Sequence, residues 1–358
     1  MEKIWLAQGD FAVEVWSLGA CVNDIRMPDR EGRVESVLLG YDTEEDRRAG
    51  TGYLGEICGP VANRIGPGGY VIDGQTYTPE LNDQGFATLH SGSHGWSANE
   101  WRIDSTPQIA DPRSVCLRLD WRDPDGGFAG PVHAQVVYEV AMCEPRPPGP
   151  DRESDGPAAC WALTHTVEVQ TEVPTVVNIA SHPYFNLSGA ATPIDDHRLT
   201  VTAGHYLPID EHSLPRPDAP APRAGSPFDV DGSTADLGEV LASQDPQMRA
   251  HGGIDHAMIL DGAPGPDGLR PAAHLWHTTS GRALSIHTDY PALQVYTGQF
   301  LSDTRVTHPL GAGGPRTGIA LETEEYPDAP RRGDFPSVLL RPGQTYVRRT
   351  RWEFSVRL

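Results

Sequence analysis

Apolar and polar residues alternate along much of this chain. The alternation is clearest in four segments, 117–122, 132–140, 161–170 and 346–358. In the second segment, Val132, Val136 and Tyr138 share one face, and Gln135 and Glu139 lie on the other. Successive side chains of a β-strand point to opposite faces, so this two-residue period predicts antiparallel strands with one buried face.

Helical spacing is sparse. The clearest case is the segment 234–243, where Leu237, Val240 and Leu241 would follow an N-cap at Ser233 or Thr234. Many short strands with few helices predict an all-β protein, a large antiparallel β-sandwich with few short helices.

Two proline-rich stretches, residues 144–159 and 213–227, interrupt the strand pattern. The pattern resumes directly after each, so we interpret both as loop insertions and expect residues 1–358 to form a single domain. Length alone would suggest two domains, but large all-β folds often exceed the usual size of one. The 38 glycines and 33 prolines disfavour a helical bundle, because both residues are poor in helix interiors.

The charge balance is strongly acidic. The chain has 358 residues with 28 Lys+Arg against 49 Asp+Glu, which gives a formal net charge of −21. Phosphate recognition requires clustered basic residues, so we expect no nucleic-acid partner and no anionic membrane partner, and a neutral or cationic small molecule is favoured. The N-terminus lacks an apolar signal segment, and no run of ~18 apolar residues follows, so we expect a cytoplasmic protein.

The five cysteines form neither a disulfide framework nor a thiolate metal site, since their number is odd and no two are spaced CxxC. Cys143 and Cys160 flank one loop and would be able to pair under oxidising conditions. We expect them to be reduced.

Three histidines lie in turn-like contexts rich in glycine, serine or aromatic residues, where functional sites are often mounted: His90, His182 and His256. Taken singly, each is compatible with a structural role or a functional one. His90 and His94 would bind a metal together only on a shared helix face, which Gly92 and Gly95 disfavour. We therefore expect no metal site.

Glu322 follows a short apolar run in the segment 318–330 and would share a strand face with Ala320 and Glu324. A carboxylate at this position is either a desolvated general base or part of a solvated acidic strand edge. The residues alone leave both readings open.

Several segments, in this order, resemble the aldose 1-epimerase (galactose mutarotase) family, and the resemblance spans nearly the whole chain. They are Ala62-Asn63-Arg64-Ile65, Ile72-Asp73-Gly74, Leu89-His90 with Gly95 and Trp101, Asn178 through Leu187, Gly253-Ile254-Asp255-His256, Gln294-Val295-Tyr296-Thr297-Gly298, Glu322-Thr323 with Pro327-Asp328-Ala329, Phe335-Pro336-Ser337, and Leu340-Arg341-Pro342-Gly343. Each motif is weak alone, and the ordered set is specific.

The resemblance implies a galactose mutarotase-like supersandwich and an enzyme that interconverts the α and β anomers of a free aldose by ring opening and reclosure, without a cofactor or metal. It assigns Glu322 as the general base, ionised, and His182 as the general acid, protonated. It also implies sugar contacts from Asn63, Arg64, His90, Tyr184, Asp255 and Gln294. Trp96 would either stack on the sugar or pack in the core.

The chain departs from the family pattern at three positions, where Pro60, Ser91 and Glu324 replace the usual Arg, Gly and Gln. Glu324 raises the alternative of a different sugar or specialised metabolite, including a cationic one. A second alternative is a non-catalytic sugar-binding or regulatory protein on the same fold. We expect a monomer or a weak homodimer.

Overall fold

The computed structural model describes residues 1–104, 113–143, 159–230, 236–302, 308–310 and 313–357. Strands dominate this part of the chain. In chain order they are β1 Lys3–Gln8, β2 Phe11–Trp16, β3 Cys21–Pro28, β4 Val34–Ser36, β5 Leu39–Gly40, β6 Ile57–Cys58, β7 Arg64–Ile65, β8 Tyr70–Ile72, β9 Gln75–Tyr77, β10 Thr88–Leu89, β11 Arg102–Ile103, β12 Ser114–Trp121, β13 Val132–Met142, β14 Ala159–Thr171, β15 Thr175–Val176, β16 Ala180–Ser181, β17 Tyr184–Phe185, β18 His197–Val201, β19 Ala203–Tyr206, β20 Ala221–Pro222, β21 Asp255–Leu260, β22 Arg270–His277, β23 Arg282–Thr288, β24 Ala292–Tyr296, β25 His308–Pro309, β26 Ile319–Glu324, β27 Leu339–Leu340 and β28 Tyr346–Val356.

The largest sheet has eight strands in the order β11-β12-β13-β14-β28-β23-β22-β18, and every neighbouring pair is antiparallel. In β13, Val132, Val136 and Tyr138 are buried, whereas Glu139 is exposed. The predicted alternation is therefore confirmed here, and β12, β14 and β28 follow it as well.

A second sheet has six strands in the order β17-β26-β24-β21-β19-β20. It packs on the large sheet through an aromatic contact, since the rings of Phe185 and Trp352 meet edge to face at 5.5 Å. The hydroxyls of Thr323 and Thr350 also meet across this interface, at 2.6 Å. This packing leaves the opposite face of the six-stranded sheet available for a site.

A third sheet, β1-β2-β3-β4, covers another part of the large sheet. Its Phe11 stacks on Trp161 of β14 at 5.9 Å and packs against Phe354 of β28. The predicted fold class is thus confirmed, as layered antiparallel sheets enclose a core that runs from Leu6 to Val356.

The described helices are short. They are α1 Glu44–Ala49, α2 Leu237–Leu241 and α3 Pro246–His251, with 3₁₀ turns at Trp96–Ala98, Ile194–Asp196 and Ala329–Arg331. All are too short to cross a lipid bilayer. The helix predicted at 234–243 is present as α2, but its N-cap is Asp236. The predicted caps Ser233 and Thr234 lie outside the described residues.

Cys143 and Cys160 are joined by a disulfide, which corrects the expectation of a reduced pair. β13 and β14 are neighbouring antiparallel strands, and their pairing brings the two Cα atoms to 5.1 Å, within bonding geometry. Of the two predicted insertions, residues 144–158 lie outside the described part of the chain. The stretch 213–227 contributes β20, which pairs with β19 at the edge of the six-stranded sheet.

Candidate active site

A cavity of about 470 Å³ opens on the face of the six-stranded sheet that points away from the large sheet. The structure brings all eight predicted site residues to its wall: Asn63, Arg64, His90, His182, Tyr184, Asp255, Gln294 and Glu322. The sheet supplies four of them, because Tyr184, Glu322, Gln294 and Asp255 lie on the successive strands β17, β26, β24 and β21. Arg64 begins β7, and loops before β7, after β10 and between β16 and β17 supply Asn63, His90 and His182.

Strand β26 is buried on both faces, with Ala320, Glu322 and Glu324 on one face and Leu321 and Thr323 on the other. Glu322 is only 2% exposed and lies directly opposite Gln294 of β24. The alternative of a solvated acidic strand edge is therefore wrong, because β26 has neighbours on both sides and its carboxylates are enclosed.

His182 is the nearest titratable partner of Glu322. Its Nε2 lies 3.3 Å from Glu322 Oε1, and both side chains are buried. The backbone of His182 is held at both polar groups, since its N–H donates to Glu56 O and its carbonyl accepts from Gly55 N. The imidazole is thereby fixed beside the carboxyl, in reach for proton transfer.

Burial shifts both members of this pair toward their neutral forms. It lowers the pKa of His182 to about 4, because the cost of desolvating the imidazolium outweighs a backbone hydrogen bond that acts in the opposite sense. Burial also raises the pKa of Glu322 well above its usual range, and the charges of Glu324 and Asp255 add to this while Arg64 opposes it. The expected ionised Glu322 with protonated His182 is thus not the form favoured in the sugar-free cavity.

Asn63 and His90 hold each other in place. His90 N–H donates to Asn63 O at 3.0 Å, and Asn63 N–H donates to His90 Nδ1 at 3.2 Å. Both backbones are left-handed, with φ of 60° for Asn63 and 50° for His90. Such conformations are sparsely populated in residues other than glycine and often accompany functional sites.

The same contact determines what His90 offers the cavity. Its Nδ1 accepts a backbone N–H, so the neutral ring carries its proton on Nε2, which is then a hydrogen-bond donor. The ring of Tyr53 packs against this ring in a tilted arrangement, with the centroids 4.5 Å apart. Burial, His182 and Arg64 all lower the pKa of His90, which keeps the ring neutral.

The ligating atoms of His90, His182 and Glu322 lie within 4.8 Å of one another, close enough to share a metal ion. The donor set does not fit one, however. To bind a metal through Nε2, His90 would have to carry its proton on Nδ1, against the N–H of Asn63. The three groups are therefore arranged for hydrogen bonding and proton transfer.

A polar network lines the other side of the cavity. Gln294 Nε2 donates to Asp255 Oδ1 at 2.7 Å, and Arg64 Nε donates to Asp83 at 2.7 Å. Arg64 Nη1 lies 3.7 Å from Asp255. Although burial opposes the charge, Asp255 and Asp83 raise the pKa of Arg64. The network fixes donors and acceptors at positions suited to a polyhydroxylated ligand.

Sequence reasoning missed several cavity residues, among them Tyr53, Asp83, His251 and Tyr296. Tyr296 could have been predicted from the sequence, because the two-residue period of β24 places it on the same face as Gln294. Asp83 sits in a polar loop and has no sequence signal. Its role follows only from the contact with Arg64.

Four residues considered in the sequence analysis do not line the cavity. Trp96 is fully buried and meets Trp101 edge to face, so of its two alternatives the core role is correct. His256 is fully buried, and its ring bonds to Gln247 and to a backbone N–H. His94 is exposed and lies beside Asp125. Glu324 is fully buried and does not line the cavity, so its position does not support the alternative of a cationic substrate.

Comparisons with known proteins identify the family of this chain. The profile of the aldose 1-epimerase family matches residues 2–143 and 158–353. Human galactose mutarotase is 34% identical over 360 residues, covering 99% of this chain and 94% of the relative. The aldose 1-epimerase of Escherichia coli K12 is 33% identical over 346 residues, covering 96% and 91%.

Solved structures show the same fold. An aldose epimerase homologue from C. elegans superposes with a TM-score of 0.82 at 22% identity, covering 100% of this chain and 99% of that one. A galactose 1-epimerase from Lactobacillus acidophilus gives a TM-score of 0.77 at 25% identity, covering 98% and 93%. The family profile and the two full-length sequence relatives together show that this chain belongs to the aldose 1-epimerase family.

Proposed function

We propose that this protein is an aldose 1-epimerase that interconverts the α and β anomers of a free aldose of the galactose or glucose type. The observation that carries the proposal is the buried contact between His182 Nε2 and Glu322 Oε1, at 3.3 Å in the wall of a polar cavity. Anomer exchange needs a proton acceptor for the C1 hydroxyl and a proton donor for the ring oxygen. This pair supplies both.

The neutral pair holds one proton, on Glu322. Transfer of that proton to His182 gives a carboxylate and an imidazolium without exchange with solvent, so the two forms differ only in where the proton lies. A bound sugar favours the ionised form, because its C1 hydroxyl donates to the carboxylate and its ring oxygen accepts from the imidazolium.

From that form Glu322 takes the C1 hydroxyl proton, and the electron pair left on the oxygen forms the C1 carbonyl. The bond between C1 and the ring oxygen breaks, and His182 delivers its proton to the ring oxygen. The open aldehyde rotates about C1–C2 and closes on the other face, with the two residues exchanging roles. His90, through its Nε2–H, supports charge on the ring oxygen.

The other cavity residues bind the sugar in this proposal. Arg64 presents a planar fork of donors, and Asp255 accepts from hydroxyls. Among the described residues that line the cavity, Arg64 is the only arginine or lysine. A neutral sugar is therefore a better match than a sugar phosphate, which requires several cations.

The remaining expectations stay predictions. A cytoplasmic location and a monomeric or weakly dimeric state follow from the sequence reasoning alone. The binding-only alternative has no supporting observation, since a pure binder does not require a buried acid and base in contact.

The test is polarimetry or NMR of freshly dissolved α-galactose and α-glucose, with and without protein, after subtraction of the spontaneous rate. We expect acceleration of at least one sugar. Glu322→Gln and His182→Ala should each lower kcat by about 10²–10⁴-fold. His94→Ala, which changes an exposed histidine, is the matched control and should have no effect.

Circular dichroism should show all three variants folded. A wild-type protein that accelerates no aldose would refute the proposal and leave binding as the function to examine. Near-normal turnover in either site variant would refute the assigned roles.

A further inference from the structure

Glu324 is a buried carboxyl group that the reaction described above does not use. It lies two residues after Glu322 on the same face of β26, is fully buried, and does not line the cavity. Its Oε1 accepts a hydrogen bond from Asn63 Nδ2 at 2.9 Å.

The contact with Asn63 fixes a residue of the sugar site. Asn63 Oδ1 accepts from the N–H of Arg64 at 2.8 Å, while Nδ2 donates to Glu324. These two bonds are compatible with only one orientation of the amide, since its oxygen must face the N–H and its nitrogen the carboxyl. Glu324 thus helps to decide which polar group Asn63 turns toward the sugar.

Glu324 also acts electrostatically on the proposed base. Successive residues on one strand face are about 6.6 Å apart, so an ionised Glu324 is close enough to disfavour a second negative charge on Glu322. The two carboxyls are both enclosed, and the interaction is screened little by solvent. The charge of Glu324 is accordingly among the causes that raise the pKa of Glu322.

Several other groups face this pair. Asp255 acts on both carboxyls, Glu325 on Glu324, and Arg64 on Glu322 in the opposite sense. The thiol of Cys58 is also close to both carboxyls. Burial raises the pKa of Glu324 to about 8, with the amides of Asn63 and Asn178 opposing the shift. Glu324 is therefore largely neutral at pH 7 and becomes charged in the mildly alkaline range.

We propose that Glu324 is a positioning residue of the sugar site that orients the Asn63 amide and, once ionised, retains the proton held by Glu322 and His182. This inference rests on the proposed function. The proposal assigns a role to Glu324, the residue that replaces the family's usual Gln. A glutamine accepts the Asn63 hydrogen bond equally well but cannot hold the pair's proton at alkaline pH.

The test compares Glu324→Gln and Glu324→Leu with the wild-type protein in kcat and KM from pH 5 to 10. Near pH 6.5 we expect Glu324→Gln to keep both constants within about threefold, because the hydrogen bond is retained. Its alkaline limb of kcat/KM should move to lower pH by about one unit or more, since the charge that held the proton is gone.

Glu324→Leu should show the same alkaline shift and an additional rise of about tenfold in KM, because Asn63 loses its partner. Glu31→Gln, an identical substitution at an exposed residue, controls for net charge and should shift nothing. If the alkaline limb of kcat/KM is unshifted in Glu324→Gln, the inference is overturned. Because glutamine has the same shape as glutamate, this test does not depend on whether Glu324→Leu folds.

A second readout needs no turnover. In protein with ¹³C-labelled glutamate carboxyls, the NMR titration of Glu322, assigned with Glu322→Gln, should shift to lower pH in Glu324→Gln. If wild-type protein is inactive on every aldose, the proposed function fails and this titration still decides the role of Glu324. If the wild-type enzyme is active, but Glu324→Gln shifts neither the alkaline limb of kcat/KM nor the NMR titration of Glu322, only the inference about Glu324 is refuted.

Discussion

His182 and Glu322 form the chemical centre of the site because burial changes what each side chain prefers. In water a carboxylate and an imidazolium would form an ion pair near pH 5–6, as their ordinary pKa values imply. Enclosed in the cavity wall, both pKa values move toward the neutral forms. The pair keeps a single proton over a wide pH range, and a sugar hydroxyl is needed to draw it into the charged form.

This state predicts the acidic side of the pH profile. His182 has its pKa lowered to about 4, so it is neutral above that pH and becomes protonated below it. Once His182 gains a proton while Glu322 retains its own, no group is left to accept the C1 hydroxyl proton. We expect kcat/KM to be constant from about pH 5 to the start of the alkaline limb, and to fall about tenfold per pH unit below about pH 4.

Rates from NMR exchange, with the spontaneous reaction subtracted, would check this. Circular dichroism at each pH distinguishes the fall of kcat/KM at acidic pH from a loss of activity caused by acid unfolding. A limb near pH 6.5, the ordinary histidine value, would contradict the assignment.

Arg64 contributes geometry as well as charge. Its guanidinium donates to Asp83 and lies near Asp255, an arrangement that a lysine cannot reproduce with one ammonium group. Arg64→Lys should raise KM by about tenfold and change kcat by less than about threefold. Arg341→Lys, which alters an exposed bidentate pair with Asp73, is the control. Equal KM values in the two variants would rule out a binding role for the fork.

At this scale the ordered motifs, through the family that they resemble, were sufficient to predict eight of the residues that line the cavity. Their protonation was not predictable, because desolvation and the charge of Asp255 come from parts of the fold distant in sequence. Asp83 was missed for the same reason, as a loop acid becomes informative only beside Arg64.

The strand pair β13–β14 illustrates the element scale. Alternation predicted both strands, and their antiparallel pairing then brings Cys143 to Cys160 across the end of the hairpin. The two cysteines are 17 positions apart in the sequence, so the disulfide closes a loop that would otherwise be free in the unfolded chain.

Reduction of this disulfide should lower the free energy of unfolding by about 3 kcal/mol, the value expected for a loop of that length. Urea titrations with and without dithiothreitol measure it. The Cys143→Ser/Cys160→Ser double variant should match reduced wild-type protein and be insensitive to the reagent. Under denaturing conditions, thiol titration should find three thiols before reduction and five after it. Five thiols at the outset would show that the bond does not form.

Strand β26 marks the limit of prediction for elements. The period-2 pattern correctly placed Ala320, Glu322 and Glu324 on one face. Whether β26 lies at an edge or between neighbours was not readable, because sheet order depends on strands distant in sequence. The pairing with β17 and β24 is what buries the acids.

Across the whole molecule, Arg282 of β23 connects two sheets. It is fully buried, and its guanidinium donates to the carbonyls of Pro28, Arg33 and Leu187 and to Glu35 Oε2. These acceptors lie in or next to β3, β4 and β17. The side chain therefore ties the eight-stranded sheet to the four-stranded one.

Arg282→Met keeps most of the volume and removes every donor. The buried carbonyls then lose their partners, and we expect a loss of about 2–3 kcal/mol in the free energy of unfolding. Urea denaturation followed by tryptophan fluorescence measures the change. Arg48→Met removes an exposed pair with Glu44 and should leave the unfolding midpoint unchanged. Equal midpoints for the two variants would refute the connecting role.

The core from Leu6 to Val356 agrees with the prediction of a single domain, which stays a prediction. By itself, the sequence determined the strands, the all-β class, and the order of motifs that implies the family, because these depend on local periodicity and on residue types along the chain. Only the tertiary structure decided that Glu324 does not line the cavity, that His256 and Trp96 are structural, and that the acid and base are neutral before sugar binds. The physical reason is that burial and hydrogen bonding come from residues far apart in the chain, as Asn63 and Glu324, 261 positions apart, show.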